Sequence, residues 1–149
     1  MDRRFFLLGA LSAPLLTSPA LAAGQRMEVF KTPTCGCCTA WIAHVEQAGI
    51  AVDARDVEQQ ELWGRKVRAG IPAELSSCHT GFIEGYFVEG HVPAADVHRL
   101  LDERPDALGL TVPGMPIGSP GMEMGDRRDP FETLLIGRGG EVITFQRHG

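Results

Sequence analysis

Three cysteines lie within four positions of one another, at Cys35, Cys37 and Cys38. They fall between a segment with the pattern of a β-strand and a segment with the pattern of a helix. Such a turn leaves thiols accessible, and the free N–H groups and positive dipole end of a helix N-terminus favour the thiolate form. Thiolates attack disulfides and bind soft metal ions. The stretch therefore predicts redox chemistry or metal binding.

The spacing of the cysteines leaves three alternatives open. Cys35 and Cys38 have the Cys-x-x-Cys spacing of a redox dithiol. Cys37 would compete for that disulfide, whereas in a thiolate cluster it adds a ligand, and three sulfurs so close together suit Cu(I) better than tetrahedral zinc, which two separated pairs usually hold. Cys78, the remaining cysteine, is then the fourth ligand or a disulfide partner. An even cysteine count in an exported protein also permits two structural disulfides.

Other soft or imidazole ligands lie near these cysteines or in flexible segments. His79 adjoins Cys78, and His91 lies in a predicted loop before Pro93. A loop rich in proline, glycine and methionine extends from Gly109 to Gly125, and its thioethers are ligands that Cu(I) accepts. The further candidate ligands are His79, His91, Met122 and Met124. Met115 is a weaker candidate, since methionine often only fills gaps in a core. Hydrogen-bonded or solvated structural roles are predicted for His44, His98 and His148.

Composition excludes several classes of function. With 149 residues, of which 44% are apolar and 22% charged, the chain suits one globular domain. The net charge is −5 and no run of Lys or Arg exceeds two residues, so no nucleic-acid-binding surface is predicted. The sequence contains no Gly-x-Ser-x-Gly, phosphate-binding glycine loop or His-Glu-x-x-His motif.

The N-terminus has the features of an export signal. Arg3-Arg4 precede an apolar segment, Phe5 to Leu16, that is too short to span a bilayer, and Ala20-Leu-Ala22 has the pattern of a cleavage site. The paired arginines are typical of the twin-arginine type. Residues 1–22 are therefore predicted to be a signal peptide, and residues 23–149 a periplasmic metal-binding domain without membrane insertion after cleavage.

The hydrophobic pattern predicts an α/β fold. A strand at Arg26 to Lys31 precedes the thiol turn, and a helix ends at Gly49. A second strand and a short helix follow, the helix with Leu62, Trp63 and Val67 on its apolar face, and another helix extends between Pro93 and Pro105. A glycine turn between residues 136 and 141 indicates a C-terminal β-hairpin. This order is typical of a single thioredoxin-like domain.

Four motifs together resemble a known family. They are Thr32-Pro-Thr-Cys-Gly-Cys-Cys38, Pro72-Ala-Glu-Leu-Ser-Ser-Cys-His-Thr80, Tyr86-Phe-Val-Glu-Gly-His-Val-Pro93 and Val112-Pro-Gly-Met-Pro-Ile-Gly-Ser-Pro-Gly-Met-Glu123. In this order they resemble the CopG-like periplasmic copper-resistance proteins, long catalogued as a domain of unknown function. The resemblance implies a thioredoxin-like fold and Cu(I) held in an export or detoxification system. The ligands that it implies are Cys35, Cys37, Cys38 and Cys78.

The sequence thus predicts an exported copper-binding protein with more than one Cu(I) in a thiolate cluster, acting in copper resistance. Its expected partners are copper-export or copper-handling proteins of the periplasm. The alternative is a thiol–disulfide oxidoreductase that uses Cys35 and Cys38, coupled to the redox state of copper. A metal-binding protein is favoured over an enzyme; if the protein is an enzyme, the expected activity is that of a thiol–disulfide or copper oxidoreductase.

Overall fold

In the computed structural model, which describes residues 24–149, one seven-stranded sheet carries three helices. The predicted signal peptide, residues 1–22, lies outside the described residues. The strands are β1 Arg26–Lys31, β2 Ala51–Asp56, β3 Thr80–Ile83, β4 Tyr86–Gly90, β5 Ala107–Val112, β6 Phe131–Gly137 and β7 Val142–His148. The helices are α1 Gly36–Gln47, α2 Gln59–Arg68 and α3 Ala94–Glu103, with a 3₁₀ turn at Ala73–Leu75.

The strand order in the sheet is β2-β1-β3-β4-β5-β6-β7. The β1–β2 and β4–β5 pairs are parallel, and the other pairs are antiparallel. Trp41, Ile42 and Val45 of α1 pack into the main core together with Met27 and Val29 of β1. This packing fixes the N-terminus of α1 directly after the C-terminal end of β1.

The topology brings four segments of the chain together at one end of the central strands. Because β3 is antiparallel to β1, Thr80 at the start of β3 lies opposite Phe30 near the end of β1. Thr80 also pairs with Glu89 near the end of β4, and Gly90 pairs with Val112 at the end of β5. The thiol turn, the loop before β3, the loop after β4 and the loop after β5 therefore adjoin one another.

The predicted mixed α/β domain and its C-terminal hairpin are confirmed, with two differences in detail. Trp63 and Val67 are 44% and 63% exposed, while Leu62 and Lys66 form the buried face of α2. The buried face of α2 therefore differs from the predicted one by one residue, with Lys66 buried in place of Val67. Lys66 can be buried because it forms a salt bridge with the buried Glu89. The loop predicted from Gly109 begins only after Val112, since residues 107–112 form β5 between β4 and β6. No helix within residues 24–149 combines the length and the apolar character needed to cross a membrane.

Candidate metal centre

The cysteine cluster lies at the N-terminus of α1, facing the loop before β3. Cys35 occupies the N-cap position, and its side chain makes no capping hydrogen bond. Cys35 and Cys38 form a disulfide, and Cys37 and Cys78 are free. Cys37 Sγ lies 3.5 Å from Cys35 Sγ and 3.8 Å from Cys78 Sγ. The ligand atoms of all four cysteines lie within 4.8 Å of one another, although they come from positions up to 43 residues apart in the sequence.

Two histidines extend this cluster on the other side of Cys78. Cys78 Sγ lies 3.3 Å from His79 Nδ1 and 3.2 Å from His91 Nε2. Both imidazoles are fully buried, and Cys78, His79 and His91 form a second group with the dimensions of a metal site. Cys78 belongs to both groups. We call the six residues the thiol–histidine centre: Cys35, Cys37, Cys38, Cys78, His79 and His91.

The hydrogen bond of His91 fixes which of its nitrogens is available to a metal ion. Its Nδ1 lies 2.8 Å from the carbonyl oxygen of Pro120, an acceptor, so Nδ1 carries the proton and donates it. Nε2 then presents its lone pair toward Cys78 Sγ. Metal-binding histidines characteristically donate their other ring N–H to a carbonyl or carboxylate in this way. His91 is therefore the better-oriented imidazole of the two.

His79 is held mainly by ring packing. Its imidazole lies 4.3 Å from the Trp41 ring, centroid to centroid, and 5.1 Å from that of His91, edge to face. Trp41 in turn donates its indole N–H to the carbonyl of Val92 at 2.8 Å. Within residues 24–149, His79 Nε2 is a buried nitrogen without a hydrogen-bond partner. Because adjacent side chains usually diverge, the sequence favoured Cys78 over His79; here the loop turns both toward the same side.

Burial keeps these groups uncharged. The pKa of the Cys78 thiol is raised to about 12, mainly by burial and further by the nearby Cys37 thiolate charge. Burial lowers the pKa of His79 well below its usual value, and His91, when it is protonated, and the charge of Lys66 lower it further. Burial also lowers the pKa of His91. The histidines are thus neutral and able to bind a metal ion, whereas Cys78 must release a proton when it becomes a ligand.

A buried ion pair holds the backbone of the loop before β3, which carries Cys78. Lys66 of α2 and Glu89 of β4 form a salt bridge with side chains only 2% and 0% exposed. Glu89 also accepts hydrogen bonds from the Thr80 hydroxyl at 2.6 Å and from the backbone N–H of Ser77 at 2.6 Å. Because Ser77 precedes Cys78, the carboxylate fixes the backbone that carries the thiol. The sequence analysis did not predict this pair. Its one signal in the sequence is Glu89, a charged residue inside the short apolar strand β4, which indicates that the carboxylate has a buried partner.

The loop after β5 covers the centre at Pro120 and Gly121. Pro120 orients His91, and Gly121 lies so close to α1 that a Cβ atom there would be 2.7 Å from both the carbonyl oxygen of Cys37 and the backbone nitrogen of Trp41. Its φ of +84° also favours glycine. Met122 follows, half-buried, and Met124 is exposed. Thioether ligation by these two methionines stays a prediction.

The remaining histidines have the structural partners that the sequence predicted. His44 Nε2 accepts a hydrogen bond from the backbone N–H of Ala94 at 3.1 Å. His98 Nε2 lies 2.9 Å from the carbonyl oxygen of Ala48, and His148 Nε2 lies 2.9 Å from Asp96 Oδ2. None of these histidines joins the two groups of candidate metal ligands found within residues 24–149.

The geometry permits two kinds of chemistry. Four sulfurs and two imidazole nitrogens within a few ångströms suit soft ions that accept thiolate and imidazole ligands. The Cys35–Cys38 disulfide, with Cys35 half-buried and Cys38 fully buried, suits thiol–disulfide exchange that begins at the more accessible sulfur. A pair of purely structural disulfides does not describe these cysteines, since Cys37 and Cys78 are free.

Comparison with known proteins identifies relatives of this chain. Residues 75–122 match the family model described as "Protein of unknown function, DUF411". A search of curated proteins finds no match. Among solved structures, "Copper resistance protein copG- Form 2" is 44% identical, with a TM-score of 0.79, and the match covers 85% of this chain and 99% of that one. "Copper resistance protein copG- Form 1" is also 44% identical, with a TM-score of 0.78, covering 84% and 98%. At this identity over nearly the whole length of these relatives, the family resemblance seen in the sequence is confirmed: the chain belongs to the CopG-like copper-resistance proteins.

Proposed function

We propose that this protein is exported to the periplasm and holds Cu(I) in the thiol–histidine centre, as part of copper resistance. Its copper would be buffered there or passed to copper-export or copper-handling proteins. The observation that carries the proposal is the position of Cys78, whose Sγ lies 3.8 Å from Cys37 Sγ and 3.2 Å from His91 Nε2. A sulfur shared between two groups of ligands suits more than one ion, since a thiolate can bridge soft metals.

The proposed ligands are Cys35, Cys37, Cys38 and Cys78, with His91 and His79 completing the centre. Cu(I) is favoured over Zn(II) because soft thiolates and low coordination numbers suit it, and because the thiols do not form two separated pairs. Met122 and Met124 are proposed as outer thioether ligands. The presence of an N-terminal segment with signal-peptide features, residues 1–22, supports export.

The test is a titration of the reduced protein with Cu(I) under anaerobic conditions, with Zn and Fe measured in the same samples. We expect more than one tightly held copper per chain. Cys37→Ser should lower the number of copper ions, and His91→Asn should lower the number or the affinity. His98→Asn is the matched control, because His98 contacts the backbone carbonyl of Ala48, directly after α1, and lies outside both ligand groups. Unchanged copper binding in Cys37→Ser would contradict the cluster.

A second function is favoured by the Cys35–Cys38 disulfide. In this alternative the protein is a thiol–disulfide oxidoreductase in which the Cys35 thiolate attacks a substrate disulfide and Cys38 then resolves the mixed disulfide. Reduction of insulin or glutathione disulfide should survive Cys37→Ser and be lost in Cys35→Ser. The absence of turnover above background would exclude it.

We also propose that the domain is thioredoxin-like. The parallel β1–α1–β2 unit, with a Cys-x-x-Cys at the start of α1, supports this assignment. An experimental structure in which β1 to β4, α1 and α3 do not superimpose on thioredoxin would contradict it.

A further inference from the structure

We propose that Met115 and Cys78 form an entry site for Cu(I), at which the thioether of Met115 receives the incoming ion before Cys78 binds it. The inference rests on the proposed function, because it concerns how copper reaches the same centre. It assigns a role to a methionine that the sequence ranked below Met122 and Met124.

The site is a cleft that adjoins the centre at Cys78, and its lining within residues 24–149 includes neither His79 nor His91. Its volume is about 350 Å³. Its lining residues are Thr32, Gln59, Ser76, Ser77, Cys78, Gly114 and Met115. The side chains of this lining are hydroxyls, an amide and two sulfur groups, and only the two sulfurs are soft donors. A soft ion that enters the cleft is therefore expected to bind at Met115 or at Cys78.

Met115 is held beside Cys78 by two links between loops. The backbone N–H of Gly114 donates to the carbonyl oxygen of Ser76 at 3.3 Å, and the Ser77 hydroxyl donates to the carbonyl oxygen of Gly114. These contacts fix the residues before Met115 against the residues before Cys78. Met115 itself is 52% exposed, so its side chain does not serve to fill the core.

The surroundings of Cys78 explain why entry from the cleft is favoured. His79, His91 and Trp41 are 0% exposed, and the two imidazoles lie 3.3 and 3.2 Å from Cys78 Sγ, so on that side the thiol meets fully buried groups. Cys37 Sγ lies 3.8 Å from Cys78 Sγ, and Cys35 and Cys38 belong to the same group of sulfurs. The cleft has both Cys78 and the exposed Met115 in its lining, so it is the space from which an ion can reach both residues.

The chemistry of the two sulfurs suits sequential binding. A thioether is neutral and has no proton to lose, so it can take Cu(I) from a carrier by ligand exchange alone. The bond from copper to the carrier's donor atom breaks as the bond to Met115 Sδ forms. The bond to Met115 then breaks as copper bonds to Cys78 Sγ, whose thiol proton passes to water. Copper stays Cu(I) throughout, so no oxidant or reductant is consumed.

The test compares Met115→Leu with wild type in both directions of transfer. Reduced protein is mixed anaerobically with the Cu(I) acetonitrile complex to measure capture, and copper-loaded protein is mixed with bicinchoninate to measure release. A transient entry ligand lowers the barrier equally in both directions. We therefore expect Met115→Leu to slow capture and release by a similar factor, about tenfold for a barrier change of about 1.4 kcal/mol, with copper stoichiometry and affinity unchanged.

Two further variants control the comparison. Met115→His restores a copper-binding donor and should recover a large part of the lost rate. Ile143→Leu changes an apolar residue of β7 that is also 52% exposed, and should leave both rates as in wild type.

Each other outcome overturns the inference in a recognisable way. Equal rates in wild type and Met115→Leu would show that Met115 is not used. Faster release with weaker affinity would show that Met115 is a permanent ligand of the centre and not an entry ligand. If wild type itself retains no copper, the proposed function fails and the entry site fails with it, whereas wild-type copper binding with unchanged rates in Met115→Leu removes the entry site alone.

Discussion

Replacing Lys66 with methionine should strongly destabilise the fold, although Lys66 contacts no cysteine. Lys66→Met keeps the length of the side chain and removes its charge. Glu89, 0% exposed, is then left with hydrogen bonds from Thr80 and Ser77 but without a cation. The variant therefore isolates the cost of an uncompensated buried carboxylate.

The magnitude follows from the burial of both partners. Breaking a buried pair by removing one member costs about 3–5 kcal/mol, whereas the loss of an exposed pair costs at most about 1 kcal/mol. For a domain of this size the larger figure corresponds to a fall of about 10–20 °C in the unfolding temperature. The loss should be partly reversed in Lys66→Met/Glu89→Gln, because that variant has no buried charge and its amide oxygen can still accept from the Ser77 N–H.

The loss should also depend on pH. Burial already raises the pKa of Glu89, and the charge of Lys66 is the largest influence that lowers it. Without Lys66 the folded-state pKa rises further above the unfolded value. The folded state then holds the proton more tightly, so the stability of the variant is greatest below the unfolded pKa and is lost as the pH rises through the folded pKa. The difference from wild type should be larger near pH 8 than near pH 4, the latter lying close to the unfolded pKa of about 4.3.

Thermal unfolding followed by circular dichroism measures these effects. Glu61→Gln is the control, because it removes an exposed salt bridge with Arg65 on the same helix. If Lys66→Met unfolds at the same temperature as Glu61→Gln at both pH values, the buried pair does not have the role assigned to it. If the double variant is less stable than Lys66→Met, the uncompensated charge is not the cause of the loss.

Two other predictions concern the centre and its covering loop. Since burial raises the pKa of Cys78 to about 12, its alkylation by iodoacetamide in the metal-free protein with the Cys35–Cys38 disulfide intact should be about a thousandfold slower than that of free cysteine near pH 8, and should rise about tenfold per pH unit between pH 9 and pH 11. Mass spectrometry of the labelled peptides measures this, and a plateau near pH 9 would contradict it. Gly121→Ala should lower the unfolding temperature and the copper retained more than Gly125→Ala. Both glycines have positive φ, but of the two only Gly121 would bring the added Cβ against backbone atoms, those of Cys37 and Trp41. Equal falls in unfolding temperature and in retained copper for the two variants would contradict the close packing of this loop.

The sequence was sufficient to predict the parts of the centre that depend on local order. The thiols of Cys35, Cys37 and Cys38 follow one strand and begin one helix, so their proximity is fixed by spacing alone. Cys78 was a natural partner because it is the remaining cysteine, and the structure brings its Sγ to 3.8 Å from that of Cys37. Its role as a metal ligand stays a prediction, as do those of the other three.

Other parts depend on strand pairing and could not be read from the sequence. His91 reaches Cys78 because β3 and β4 are antiparallel neighbours whose open ends meet beside the thiol turn. The position of Met115 depends on the link between Gly114 and Ser77. The helix face of α2 was predicted one residue away from the true one, because periodicity treats Lys66 as polar and cannot recognise a lysine with a buried carboxylate partner.

The two candidate functions use the same sulfurs and are therefore linked. While the Cys35–Cys38 disulfide exists, those sulfurs are not thiolates, and the ligands left in the centre are Cys37, Cys78 and the two histidines. Copper that needs Cys35 or Cys38 as a ligand can bind only the reduced chain, and it therefore stabilises the reduced form. This stabilisation grows with the ratio of the free copper concentration to the dissociation constant. By thermodynamic linkage, formation of the disulfide weakens copper binding by the same free energy by which copper binding disfavours the disulfide. The histidine side of Cys78 lies outside this competition, since neither His91 nor its hydrogen-bond partner Pro120 takes part in the disulfide. If the centre binds copper as proposed, oxidation would release part of that copper, and Cys37, Cys78 and the two histidines would remain as ligands for the rest.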